Sequence, residues 1–296
     1  MKNRIDPTEY RFTGKGSCHP HKLPTKLKKR LYRDDASLAE QLGVFREEMD
    51  DLQQKMIAHD RYSMLLIFQA MDAAGKDGTI KHVMSGINPH GVEIHAFKRP
   101  SDEELDHDYL WRTTKVLPPR GKVGIFNRSY YEEVLVCRVH PEIVTQFQRL
   151  PEDATKDLDK LWPRRFAEIK NFEATLHANG THVVKFFLNV SKEEQKKRQL
   201  GRIDTPSKNW KFNAGDLTER ALWKDYLKAY GEAIEATATK NSPWYVIPAD
   251  DKGDMRLITG AAILHEMRRL KLKWPVLSGE QMKDLAAARE TLLAEK

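Results

Sequence analysis

The sequence predicts an α/β domain: a five-stranded parallel sheet flanked by helices, with a helical lid over one edge. Three observations carry this. The apolar run 63–70 passes directly into small residues and a lysine, Met71-Asp72-Ala73-Ala74-Gly75-Lys76-Asp77-Gly78, the order of a buried strand that feeds a tight turn. Further apolar runs at 122–126 and 182–190 have strand length, and stretches with three- and four-residue apolar spacing lie between them. The run 122–126 ends in the polar cluster Asn127-Arg128-Ser129-Tyr130-Tyr131-Glu132-Glu133, and the carboxyl ends of strands are where open α/β sheets bind ligands.

In chain order, 1–36 reads as a basic arm ending in the run Lys22 to Arg30, either a solvated segment or a polyanion contact. Cys18-His19-Pro20-His21 resembles metal-ligand spacing but has no second cluster to complete it, so an exposed coil is expected. The main domain spans 37–275. Leu38, Leu42, Phe45, Met49, Leu52 and Met56 predict one amphipathic helix over 37–61. After the strand 63–70, a helix to Met84 and a strand over 92–97 complete a right-handed βαβ unit. Ser101 and Glu104 form a capping box that opens a helix carrying Leu105, Tyr109, Leu110 and Trp111. A helix over 161–179 precedes the strand 182–190, and Ser191 caps the next helix. The charge-dense, aromatic-punctuated stretch 198–215 suits a mobile lid. A long helix over 216–239, a strand over 244–248 and a helix over 254–270 close the domain, and 276–296 reads as a surface helix.

A chain of 296 residues with net charge +7 is globular and favours an anionic partner. Nucleic acid, nucleotide, polyphosphate and anionic membrane all satisfy that charge. The two cysteines, Cys18 and Cys137, lack CxxC spacing, which argues against a disulfide framework and for a reducing compartment. No apolar run reaches the ~18 residues of a spanning helix, and the amino-terminal stretch has no signal-peptide core. A cytoplasmic protein that does not engage a membrane is expected.

The chemistry centres on residues 72–79. Gly75 and Gly78 let backbone N–H groups of Ala73, Ala74, Asp77 and Thr79 converge, Lys76 brings a point charge, and a helix amino terminus adds its dipole, which together cradle phosphate. Against G-x-x-x-x-G-K-[ST], Ala70 replaces the first glycine and Asp77 the hydroxyl residue. Asp72 is the candidate metal ligand, since Mg²⁺ takes one or two carboxylates plus phosphate oxygens and water. An ordinary strand-to-helix turn is the plain alternative. Arg128 could brace phosphate charge or pair with Glu132 or Glu133. Arg198 and Arg202 could close over the site or lie on a solvated helix face. Lys81 and Lys122 read as phosphate contacts or surface charge. Tyr130, Tyr131 and Trp210 read as base-stacking groups or packing.

The segments 71–78, 126–136 and 193–212 resemble the modified Walker A, Walker B and lid motifs of the family-2 polyphosphate kinases. Phe97-Lys98-Arg99-Pro100-Ser101, Leu110-Trp111-Arg112 and 244–250 are similar to that family as well. The resemblance implies a P-loop-kinase-like three-layer sandwich. It further implies transfer of a terminal phosphoryl group between inorganic polyphosphate and nucleoside mono- and diphosphates, with Mg²⁺ or Mn²⁺, in a homo-oligomer (dimer or tetramer) without a nucleic-acid partner. Asp72 and Lys76 then correspond to Walker A, Arg128 to Walker B, and Arg198, Arg202 and Lys208 to the lid. Asn127, where many members carry Asp, together with Glu132 resembles the class III subgroup that accepts both AMP and ADP. Asn127 leaves one carboxylate fewer for metal or proton, which places the metal on Asp72 and leaves any general base unassigned. Lys81, Arg112, Lys115 and Lys122 are expected as walls of a polyanion channel. The rivals are an ATP-dependent nucleotide kinase of the thymidylate-kinase type and a non-catalytic polyanion-binding protein.

Overall fold

Six strands form one mixed sheet in the order β1-β6-β5-β2-β4-β3, in a computed structural model that describes residues 5–295. Residues 1–4 of the expected arm and residue 296 of the expected tail helix lie outside the described residues. The five-stranded, all-parallel expectation is corrected by β1 (Arg11–Phe12), an edge strand that pairs antiparallel with Tyr245 and Trp244. Two residues are too short a run to carry a periodic signal, which is why the sequence hid it.

The arm's basic side chains Lys22, Lys26, Lys28, Lys29 and Arg30 are exposed, as in a solvated segment, but its backbone is anchored to the domain. Cys18 is buried, the Asn189 side chain donates to Pro20 O at 3.2 Å, and Asp250 N donates to Thr25 O at 2.9 Å. Leu31 N donates to Asp254 at 2.8 Å, and Arg30 pairs with Asp251 at 3.0 Å. Polar bonds hold this strap in place of an apolar stripe, so hydropathy could not reveal it. Cys18 and Cys137 are both free and buried, and burial pushes the Cys18 thiol up to about 12.

Helix α1 (Asp35–His59) starts at a capping box of Asp34 and Ser37 and buries Leu42, Met49 and Met56. Strand β2 (Ser63–Ala70) is buried throughout and leads through the loop to α2 (Lys76–Met84) and β3 (Val92–Ala96). The helix expected across Leu105 to Trp111 is two short pieces, α3 (Asp102–Leu105) and α4 (Trp111–Thr114). Strand β4 (Val123–Asn127) runs into α5 (Glu132–Val139), which opens inside the polar cluster 127–133. Helices α6 (Glu142–Gln146) and α7 (Glu152–Thr155) were not expected, whereas α8 (Leu158–Ala178), β5 (Thr181–Asn189) and α9 (Lys192–Ile203) lie close to expectation. The helix expected over 216–239 divides at Leu222 into α10 (Gly215–Ala221), which buries nothing, and α11 (Trp223–Thr237), which packs on α5 and α8. Strand β6 (Trp244–Pro248), α12 (Lys252–Arg269) and the exposed α13 (Gly279–Ala294) finish the chain.

Helices cover both faces. On β5, His182 meets Glu266 of α12 while Lys185 meets Glu173 of α8, and residues three apart in a strand point to opposite sides. The central strand β2 pairs parallel with β4 on one side and β5 on the other. The chain goes from β2 to β3 and β4 one way and to β5 and β6 the other, so a crevice opens beyond the carboxyl end of β2. Among the described residues no helix is long and apolar enough to cross a membrane.

Glu266, with no exposure, accepts from Arg11 at 2.7 Å, Tyr245 at 2.6 Å and His182 at 2.8 Å. Burial alone would raise its pKa, but these donors hold it at about 2, against an ordinary 4.5. A depressed carboxylate contributes stability above its unfolded pKa that is lost as pH falls through the folded one. Glu266→Gln is therefore expected to lower the melting temperature at neutral pH. The gap to wild type should close on acidification from about 4.5 toward about 2, and a gap independent of pH contradicts this.

Candidate active site

The loop from β2 to α2 is shaped by two left-handed residues, Ala73 (φ 59°) and Gly75 (φ 103°). Glycine takes that conformation freely, but for Ala73 it costs about 1–2 kcal/mol. Long-range bonds hold the loop against this cost. Gln195 of α9 donates to Asp72 O at 2.9 Å, and Arg198 Nη1 donates to Ala73 O (3.3 Å) and Ala74 O (2.6 Å). Arg198 Nη2 reaches Ala249 O (2.7 Å) and Asp250 O (3.0 Å), and its Nε bonds Glu194 at 2.9 Å. The guanidinium thus ties the cradle to the turn after β6. With its side chain only 8% exposed, Arg198 is a positioning group and not the free lid cation the sequence suggested.

Lys76 heads α2 and donates to Ala70 O at 3.2 Å. Burial, reinforced by the charge on Arg128, depresses its pKa, against the pull of Asp72 and Glu132. Arg128 follows β4 with φ 64° and donates its backbone N–H to Phe68 O at 3.0 Å. That places its guanidinium 3.4 Å from Asp72 and 3.8 Å from Glu132. The side chain keeps 43% exposure, so the ion pair and an open face toward the cleft coexist. Burial raises the pKa of Glu132, with Arg128 and Lys76 opposing. Asn127 donates to Asp77 at 2.6 Å. Asp216 of α10, which the sequence did not single out, has its pKa raised by burial and by the charge on Asp72, and lies 3.6 Å from Arg202.

The loop, Asn127 and Arg128 line a cleft of about 1110 Å³, with Glu132 and Asp216 behind its wall. The expected Asp72, Ala73, Ala74, Gly75, Lys76, Asp77, Gly78, Asn127, Arg128, Arg198, Arg202 and Lys208 all face it. Lys98, Arg99, Lys211, Lys252, Arg256 and Tyr32 join them unexpectedly. The i, i+4 spacing of Lys252 and Arg256 at the start of a helix was the one signal available for them. Arg256 has a buried Nε without a hydrogen-bond partner among the described residues, and burial lowers its pKa.

Other expected residues fall elsewhere. Lys122 lies before the amino end of β4, paired with Glu93 at 2.5 Å, on the edge of the sheet away from the cleft. Lys81 is exposed on α2 outside the cleft wall. The Thr79 hydroxyl turns back to Gly75 O at 3.0 Å. Arg112 is buried against Lys98 O (2.8 Å) and Glu104 (3.4 Å), and Lys115 sits over the Trp111 ring at 3.9 Å. Both belong to a second cavity of about 490 Å³ that shares Ala96 to Arg99 with the first. Tyr130 and Tyr131 are core packing, and Trp210 is 78% exposed.

Residues 32–274 match the family described as Polyphosphate kinase 2 (PPK2). The chain belongs to the polyphosphate kinase 2 family. It is 50% identical over 272 residues to an ADP-polyphosphate phosphotransferase of Rhodopseudomonas palustris, covering 92% of this chain and 93% of that one. It is 40% identical over 236 residues to an AMP/ADP-polyphosphate phosphotransferase of Meiothermus ruber, covering 80% and 83%. The crystal structure of polyphosphate kinase 2 from Arthrobacter aurescens TC1 superposes with a TM-score of 0.87 at 38% identity, covering 100% of this chain and 99% of that one.

Arg198→Lys preserves charge but not the planar fork. It is expected to lower the kcat/KM of this polyphosphate kinase 2 family member on the order of a hundredfold through displacement of the cradle. Steady-state kinetics of the folded variant check this.

Proposed function

We propose that this chain is a polyphosphate:nucleotide phosphotransferase that moves a terminal phosphoryl group between inorganic polyphosphate and AMP or ADP. Convergence of Lys76 and Arg128 on a cleft that also holds Asp72 is the observation that carries this reading. Phosphoryl transfer demands positioning and neutralisation of charge. Lys76 and the α2 amino terminus bind the transferring phosphoryl, and Arg128 braces charge spread over its equatorial oxygens. The cationic lid residues Arg202, Lys208 and Lys211 fold down and exclude water, so the phosphoryl reaches a nucleotide instead of hydrolysing. Because a phosphate acceptor is already ionised near neutral pH, no strong general base is required, consistent with Asn127 in place of a carboxylate. The turn at Lys98 and Arg99 joins the two cavities, giving a linear polyanion a basic path out of the cradle. In this reading the domain is P-loop-kinase-like.

The donor set fits Mg²⁺, with Mn²⁺ as a substitute. Asp72 offers a hard carboxylate facing the cleft, engaged only by a 3.4 Å contact from Arg128, and Asp216 brings a second carboxylate into its field. No group of three or more metal-binding side chains occurs among the described residues; an ion here would be held by one or two carboxylates plus phosphate and water. When bound, the ion would neutralise phosphate charge and orient the reacting groups. Asp72 also weighs against mere polyanion binding, since a carboxylate inside the cradle repels anions unless a cation is present. We further infer a homo-oligomer, because Trp274, Val276, Met282, Leu285, Leu292 and Leu293 are exposed along the carboxyl-terminal segment.

Purified protein given polyphosphate, Mg²⁺ and AMP or ADP, without ATP, is expected to form ADP or ATP. Lys76→Ala should cut turnover about a hundredfold or more. Strict dependence on ATP as donor would favour the thymidylate-kinase-type reading, and an intact Lys76→Ala enzyme would refute the site.

The depressed pKa of Lys76 sets a second expectation. Only the charged amine attracts phosphate, so kcat/KM for polyphosphate should decline on the alkaline side below the usual lysine range. Lys76→Arg should carry that limb to higher pH, as pH-rate profiles will show.

A further inference from the structure

Behind the cleft lies an ionic cluster sealed from water that the reaction does not touch. Lys185 of β5 and Glu173 of α8 form an ion pair with 0% and 1% side-chain exposure. Lys185 Nζ also donates to Thr237 O at 3.0 Å and sits 5.6 Å from the centres of both the Tyr131 and Trp244 rings. The other Glu173 oxygen accepts from the Tyr130 hydroxyl at 3.0 Å and the Tyr131 hydroxyl at 2.8 Å.

A buried pair of this kind is a poor source of stability, because desolvation offsets the attraction and apolar residues of similar volume often serve as well or better. Its partners suggest another use. Tyr130 and Tyr131 follow Arg128 by two and three residues, and Arg128 is held at φ 64°. A non-glycine residue keeps such a backbone, at a cost of about 1–3 kcal/mol, only where its surroundings over-determine it. Backbone bonds hold the segment, Arg128 N to Phe68 O and, at the start of α5, Glu132 N to Ser129 O and Glu133 N to Tyr130 O, and Ser129 Oγ accepts from Gln69 at 3.2 Å and from Tyr131 N at 3.1 Å. The two buried tyrosines anchor its far end, both hydroxyls meeting at Glu173 and that of Tyr131 also reaching Thr237 Oγ1 at 2.9 Å.

We propose that the Glu173–Lys185 pair positions Arg128 for phosphoryl transfer by fixing the hydroxyls of Tyr130 and Tyr131, a role that rests on the activity proposed above. Glu173 and Lys185 touch no substrate. Acting through the tyrosines, they fix the backbone from which the Arg128 guanidinium reaches Asp72 and Glu132.

Tyr131→Phe removes the hydroxyl's bonds to Glu173 and Thr237 while keeping the ring. It is expected to lower kcat about tenfold, with KM for polyphosphate and nucleotide changed less than twofold. Lys185→Met combined with Glu173→Leu removes both charges and should lower kcat similarly without lowering the melting temperature. In an Arg128→Ala background neither change should slow the enzyme further, whereas a merely structural role gives losses that multiply. Hydrogen exchange at the Arg128 amide needs no turnover and should quicken about tenfold or more in Tyr131→Phe. Unchanged kcat, multiplying losses or unchanged exchange would overturn the proposal. Should the charge-free double variant not fold, Tyr131→Phe decides by the same cycle. A wild-type protein inactive with polyphosphate would sink the functional reading alone and leave the exchange result to judge this one.

Discussion

The contact between Arg128 and Asp72, 3.4 Å across the mouth of the cleft, is what the rest of the site depends on. It brings the end of β4 and the loop after β2 to one point and leaves both side chains partly open to solvent. Each group sits on or beside a left-handed residue, Arg128 itself and Ala73. The strain is met from behind in both cases, by Arg198 and Gln195 for the loop and by the tyrosine anchors for Arg128. Rigidity therefore resides outside the reacting groups, as preorganised electrostatic stabilisation requires.

The same arrangement explains the balance of charge. Lys76 and Arg128 repel each other in a half-buried space, and Asp72 and Glu132 keep both cations tolerable before a polyanion arrives. In the proposed reaction a phosphate chain entering the cleft would exchange those contacts for its own oxygens. Arg256 and Lys252 on the first turns of α12 add positive charge to the cleft, where Asp251 and Glu194 offset part of it.

Much of this was legible in the chain because its signals are local. The run Ser63–Ala70 is buried throughout, and the turn that follows announces itself by Gly75 and Lys76. Position relative to the sheet was harder to read. Arg128 could be placed at a strand's carboxyl end and so beside Lys76. Lys122 precedes the same strand, so the strand's direction puts it at the end of the sheet opposite the cleft, where it pairs with Glu93. Arg198 was recognised as important but given the wrong task, since its four carbonyl acceptors lie more than 50 residues away in sequence. The strap from Cys18 to Tyr32 stayed hidden for the same reason: its bonds to Asn189, Asp250 and Asp254 are long-range and polar.

In the proposed function, Asp72 makes the cradle a site for a metal-bound phosphate chain. The most direct test of this is the affinity for a short polyphosphate, by titration calorimetry, of wild type and Asp72→Asn with and without Mg²⁺. Without metal, Asp72→Asn should bind the chain more tightly, because a repelling charge is gone. With Mg²⁺ the order should invert in favour of wild type. Identical responses of the two proteins to Mg²⁺ would contradict the account.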